Sequence, residues 1–233
     1  MKTTSVLLGM SVLCAACATE LPGTHPTDMS VEAHERMAAK ADGLAKAQEA
    51  RRDVWGENER TRCGGRSRTE PCWHSAAMAT PEYSRYRKLA AEHREAAQAL
   101  RDAEASACAN IAEEDRDVSP FADRTEIVAA SDLTVEERPG DPSSKTLRGA
   151  SITVQAVPGL SAEYLERVVS CHLARNASMG FAMGEMEFDP LAVKGASATV
   201  APVDGGFRVD IQGNDRDAIT EIAKRADALV ASR

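Results

Sequence analysis

"ASATVAPVDGGFRVDIQG" (residues 196–213) reads as two strands joined through Asp204-Gly205-Gly206, and this hairpin decides the fold class. Gly after Asp supplies the positive backbone angle that a tight turn between paired strands demands. Upstream, "PGLSAEYLERVVSCHLARNA" (158–177) reads as a helix capped by Ser161, with Leu165, Val168, Val169 and His172 inward. Before it, "ASITVQAV" (150–157) sets Ile152, Val154 and Ala156 against Ser151, Thr153 and Gln155, the alternation of a half-buried strand. "RTEIVAASDLTVEE" (124–137) reads as another strand, and "RPGDPSSKTLRG" (138–149) as an exposed loop between the two. Downstream, "NDRDAITEIAKRADALVAS" (214–232) carries Ile219, Ile222, Ala226 and Leu229 on one helical stripe. The order strand–strand–helix–strand–strand–helix predicts an α+β fold, a small antiparallel sheet of about four strands covered by helices on one face.

The first half has a different texture. "DMSVEAHERMAAKADGLAKAQEARRDV" (28–54) is dense in helix formers, with Asp28 or Ser30 as cap and a thin stripe of Val31, Met37, Ala38, Ala41, Leu44 and Ala45. "WGENERTRCGGRSRTEPCWHSAAMATP" (55–81) is expected to be loop. Thr80 and Pro81 then open a second helix whose inward face runs Tyr86, Leu89, Ala90, His93, Ala97, Leu100, Glu104, Cys108 and Ile111. The expected organisation is a signal over 1–16, a tether over 17–29, a helical region over 30–118 and an α+β domain over 119–233.

The extreme N-terminus has an export pattern. Lys2 is a positive n-region, "VLLGMSVL" an apolar h-region, and "CAA" supplies small residues before Cys17. The apolar run is shorter than the roughly 20 residues a spanning helix needs. Leu13-Cys14-Ala15-Ala16-Cys17 resembles a bacterial lipobox, which implies cleavage before Cys17 and acylation of its thiol; Cys14 stands where an aliphatic residue is usual. Ala18 in place of Asp resembles the sorting rule for the outer membrane. The expected location is therefore the periplasmic face of that membrane, with simple secretion to the periplasm as the alternative. Each buried methylene contributes about 0.8 kcal/mol, so several acyl chains would make a lasting anchor.

Signal removal discards Cys14 and acylation uses Cys17, leaving Cys63, Cys72, Cys108 and Cys171. An even count in an oxidising compartment predicts two disulfides. Cys63 and Cys72 flank the turn-rich "GGRSRTEP", so they are paired, and Cys108 with Cys171 follows by elimination. Zinc is the rival use of the thiols, but these four remaining cysteines contain no CxxC. The 36 acidic and 28 basic side chains leave −8, which argues against nucleic acid and against anionic lipid as electrostatic partners. Aromatics are 4% and much of the 43% apolar content is alanine, so the core buries little area per residue and cross-links matter more.

"DMSVEAHE", "EHREAAQALRDAEASAC", "SPF" and "CHLARNA" together resemble a family of uncharacterised lipoproteins from myxobacteria and related Gram-negative bacteria. The similarity runs over most of the chain after the tether and fades in the last helix. It implies a lipid-anchored envelope protein and carries no activity. Relatives tend to have Cys before Pro-Leu and His before Arg, where this chain has Asp189 and Asp123.

One constellation has the residue types for chemistry. His93 and Glu104 share a helix face about 16 Å apart along the axis. A Cys108–Cys171 bond would bring His172 beside Glu104, with Asp123 or His93 near. Imidazole and carboxylate suit zinc, nickel or copper, and they also suit acid–base work. The plainer expectation is a buried polar pair that fixes how two Ala-rich helices dock. Met179, Met183 and Met186 in "MGFAMGEME" offer thioethers for copper(I), or flexible filling for an aromatic-poor core. Trp73 and His74 in "PCWHSAA" offer recognition, or local packing. No Gly-rich phosphate loop, GxSxG or HExxH is present. The expectation is a non-enzymatic binding or structural protein of the envelope with no cofactor, partnered by the membrane through its lipid and by another envelope protein. The alternative is a divalent-metal protein using His93, Glu104 and His172.

Overall fold

In the computed structural model the described residues are 21–63, 80–136, 145–181 and 188–231, with backbone alone for 52–63 and Thr80. Helix α1 spans Val31–Cys63. Ser30 is its cap, its Oγ accepting from the Ala33 N–H at 3.1 Å and relieving one of the unpaired amides of a helix start. The helix runs past Val54, where a loop was expected. "WGENERTRC" contains no proline, and its single glycine is a penalty of about 1 kcal/mol, not a stop. Helix α2 spans Thr80–Ala107 and opens where Thr80-Pro81 indicated.

The two helices pack antiparallel, with Arg101 paired to Glu35 and Arg94 to Asp42 across them. Their seam is His34, Ala38, Ala41 and Ala45 against Ala90, His93, Ala96, Ala97 and Leu100. Spacings of three and four put these on one stripe per helix. The stripe on α1 is rotated from the expected one: His34 is inside, and Leu44 is 42% exposed.

A four-stranded antiparallel sheet follows, built from β1 (Ile127–Glu136), β2 (Lys145–Gln155), β3 (Ala196–Val203) and β4 (Gly206–Gly213) in the spatial order β1-β2-β4-β3. Helix α3 (Ala162–Ser178) carries the chain from β2 to β3 at the far edge, and β4 returns to the gap between them. Helix α4 is Arg216–Ala231. The result is the α+β class and element order expected.

β2 begins at Lys145, inside the segment expected to be loop, because "KTLRG" pairs with Leu133–Glu136. Arg148 has no partner in that ladder, so the strand bulges there. Gly149 next to the bulge must be glycine, since a Cβ would run into the Ile211 carbonyl. The β3–β4 turn is Asp204-Gly205, with φ +79° at Gly205 and Val203 facing Gly206.

The sheet is two-faced. Ile152, Val154, Val209 and Ile211 join Phe121, Ile127, Leu165, Val169, Leu191, Ile222 and Leu229 in the main core. The opposite face carries polar groups, among them Ser151, whose Oγ donates to Asp210 Oδ1 at 2.6 Å, and Arg208 beside the same carboxylate. Helix α4 crosses β1, β2 and β4; α3 lies on β3; α2 packs on α3 from outside. Where α2 ends, a disulfide joins Cys108 to Cys171 of α3 with their Cα atoms 4.5 Å apart, the pairing expected. Ile111, Tyr164 and Val168 surround it. The Cys63–Cys72 pairing lies outside the described residues.

The tether expected over 17–29 is partly folded onto the body. From Leu21 the chain turns, buries Thr24 and forms a short helical turn at Pro26–Asp28 with His25 and Asp28 as a capping box. That turn packs against α2. Among the described residues, no helix is long and apolar enough to cross a membrane.

Candidate functional site

Three polar clusters lie between the elements. The first joins the tether turn, α1 and α2. His34 Nδ1 is 3.0 Å from His93 Nδ1, and His34 Nε2 is 3.2 Å from the Pro26 carbonyl oxygen. Exposure is 0% for His34 and 1% for His93. A carbonyl only accepts, so in a neutral pair His34 carries its proton on Nε2 and leaves Nδ1 bare. His93 Nδ1–H is then the donor between the rings. Burial foremost, and then the neighbouring His34, lower the His93 pKa below its ordinary 6.5, with Glu92 opposing. Burial therefore favours the uncharged form of His93.

The second cluster binds α2 to α3. Glu104 accepts from Arg175 Nη1 at 2.8 Å and from Ser178 Oγ at 2.6 Å, while Arg175 also donates to Asp117 at 2.5 Å. Beyond Ser178, α3 ends in a Schellman motif. Phe181 N–H bonds the Asn176 carbonyl at 2.8 Å, Gly180 N–H bonds that of Ala177 at 3.0 Å, and Gly180 has φ +72°. Gly180 lies so close to Ser30 that a Cβ would come within 2.9 Å of the Ser30 Cβ. The end of α3 is thereby set against the start of α1.

The third cluster is under α3. His172 Nε2 lies 2.8 Å from Asp189 Oδ2, with side-chain exposures of 2% and 0%. The two atoms are close enough for an ion pair but are not aligned as a hydrogen bond, and each is without a hydrogen-bond partner. Asp189 Oδ1 accepts from the Leu191 N–H at 2.8 Å, capping the short turn Pro190–Ala192. Arg225 donates to the Asp189 carbonyl at 3.1 Å. Asn176, one helical turn beyond His172, is 0% exposed, and both ends of its amide are unpartnered. Leaving a buried polar group unpaired costs about 1–3 kcal/mol, so this is an expensive arrangement for a merely structural corner.

The three side chains expected to share a metal thus go to three places. His93 is with His34, His172 with Asp189, and Glu104 with Arg175 and Ser178. The disulfide does place α2 beside α3, but the residue it delivers to Glu104 is Arg175. Asp123 is exposed and caps its own turn, bonding Thr125 N–H at 2.9 Å and Thr125 Oγ1 at 2.6 Å, which holds its carboxyl below the usual range. Met179 is 42% exposed; Met183, Met186, Trp73 and His74 lie outside the described residues. Among the described residues, no three His, Cys, Asp or Glu side chains are grouped to hold a metal ion.

His34, Asp189 and Asn176 were missed as interior partners. His34 has the stripe spacing with Ala38, Ala41 and Ala45, so periodicity alone contained that signal. Asp189 precedes Pro190, a common start for a short turn, but its approach to His172 comes from tertiary packing. Comparison with protein-family models, with characterised proteins and with solved structures finds no match for this chain.

Proposed function

We propose that this chain is exported, acylated on Cys17 and held at the periplasmic face of the outer membrane, where its folded body has a non-enzymatic binding or structural role toward another envelope protein. The observation that carries this reading is the stretch from Val6 to Cys17, an apolar run followed by small residues and a thiol. The Cys108–Cys171 bond supports it, because such bonds persist in oxidising compartments. The lipoprotein resemblance points the same way. The non-enzymatic part is supported by three of the four described histidines: His34, His93 and His172 are 0%, 1% and 2% exposed, which favours packing over contact with a substrate. The acidic surface favours a protein partner over nucleic acid.

Labelling with a radioactive or alkyne-bearing fatty acid tests the anchor. Label is expected on the native chain and absent from Cys17→Ser, and the mass of the extracted protein should show residues 1–16 removed. An unlabelled native chain that is released with the soluble periplasmic fraction would sink the proposal.

A further inference from the structure

Beyond the lipid anchor, the corner under α3 has the makings of a ligand site. The structure assigns to His172 Nε2, Asp189 Oδ2 and Asn176 Oδ1 the role of ligands to one first-row divalent transition-metal ion, of the zinc or nickel kind. These three atoms are buried and lack hydrogen-bond partners. Metal–nitrogen and metal–oxygen bonds are each about 2.0–2.2 Å, so two ligands at right angles on one six-coordinate ion lie about 3 Å apart. The His172–Asp189 separation of 2.8 Å is of that size. The two atoms are not aligned for a hydrogen bond to each other. Asn176 follows His172 by one turn of α3, so its amide belongs to the same helix face.

The surroundings orient the donors. The Leu191 N–H ties down Asp189 Oδ1 and leaves Oδ2 toward His172, and Arg225 fixes the backbone of Asp189 through its carbonyl. Cys171, immediately before His172, is bonded to Cys108, so α3 cannot rotate the imidazole away. Such outer contacts are what metal ligands usually carry. Arg225 is the cation nearest the site in these contacts, and Glu221 offsets it at 2.8 Å. One imidazole nitrogen, one carboxylate oxygen and one amide oxygen suit zinc or nickel, leaving further positions for water.

The test uses the full-length protein in detergent, stripped with chelator and titrated with cobalt(II) and zinc(II). One cobalt per chain with visible ligand-field absorption is expected, as is a higher unfolding midpoint with zinc. His172→Gln and Asp189→Asn should abolish both. Should those two variants fail to fold, Asn176→Asp decides. With a metal, the extra anionic ligand tightens binding, and zinc rescues the stability that two adjacent carboxylates lose. Three results would overturn the assignment: no stoichiometric binding by the native chain, binding that survives His172→Gln, or an Asn176→Asp variant destabilised equally with and without zinc. The first and third would leave the polar atoms to internal water. Fatty-acid labelling reads Cys17 alone, so failure of the anchor and failure of this site are separable.

Discussion

Where α4 meets the sheet, the buried side chains are Ile152, Val209, Ile211, Ile222 and Leu229; where α1 meets α2, the aliphatic ones are Ala38, Ala41, Ala45, Ala90, Ala96, Ala97 and a single leucine, Leu100. The first region removes large branched side chains from water, each contributing about 1.5–3 kcal/mol. The second removes mostly single methyl groups. Its selectivity comes from the two rings it encloses, since His34 and His93 are, with Leu100, the bulky members of an otherwise small seam and set how the helices register. The lesson is that one chain can reach the same burial by two routes, and only one of them yields much energy per residue. The antiparallel pair of α1 and α2, a helical hairpin, leans on the sheet unit through the Cys108–Cys171 bond and the Glu104–Arg175–Ser178 cluster.

The strongest way to break this contrast is to cut the bond. Cys108 and Cys171 are 63 residues apart in sequence, and a loop of that size corresponds to about 4 kcal/mol in the chain-entropy account. Cys108→Ser, or reduction, should lower the urea midpoint and split the transition, with α1 and α2 losing helicity before the sheet unit unfolds. A single transition at the native midpoint would mean that the hairpin stands by itself. Next, Ile222→Ala in the main core should cost about 3 kcal/mol by chemical unfolding. Ala97→Gly in the seam should cost about 1 kcal/mol, mostly as helix propensity. Equal costs at the two sites would erase the distinction between the cores.

Acid sharpens the contrast from another side. The His93 pKa is depressed in the folded protein, chiefly by burial. The folded state therefore binds fewer protons than the unfolded chain, and stability is complete above pH 6.5 and declines as pH falls through the folded value. The slope should be smaller in His93→Gln, followed by unfolding at a series of pH values. An identical slope in both proteins would take the ring pair out of the account. The smallest effect is expected at the surface, where Arg101→Ala removes the pair with Glu35 at about 0.5 kcal/mol.

Much of the sheet unit was legible, because alternation, Asp204-Gly205 and the Ser161 cap are local signals. Local chemistry misplaced the boundaries that tertiary pairing decides. Lys145–Gly149 look like loop until Leu133–Glu136 lie beside them, and "WGENERTRC" lacks apolar periodicity yet continues α1. The site was legible in part. Cys108 and Cys171 were found by count, and His93 and His172 by their inward positions. Their partners were not, since Asp189 comes to His172 from seventeen residues later through the path of the chain into β3. Rotation of α1 was the other failure: with so many alanines, the stripes containing Leu44 and His34 differ little in apolar content.

The folded turn at Pro26–Asp28 would set how far the body stands from an anchor at Cys17. With Leu21 onward laid on the hairpin, four peptide steps separate Cys17 from the folded body, a span of at most about 14 Å. An acylated Cys17 would therefore keep Leu21, where the folded body begins, within about 14 Å of the anchored residue. Any partner met there would be one that lies flat against the membrane, and a component out of that shallow reach would have to come to it.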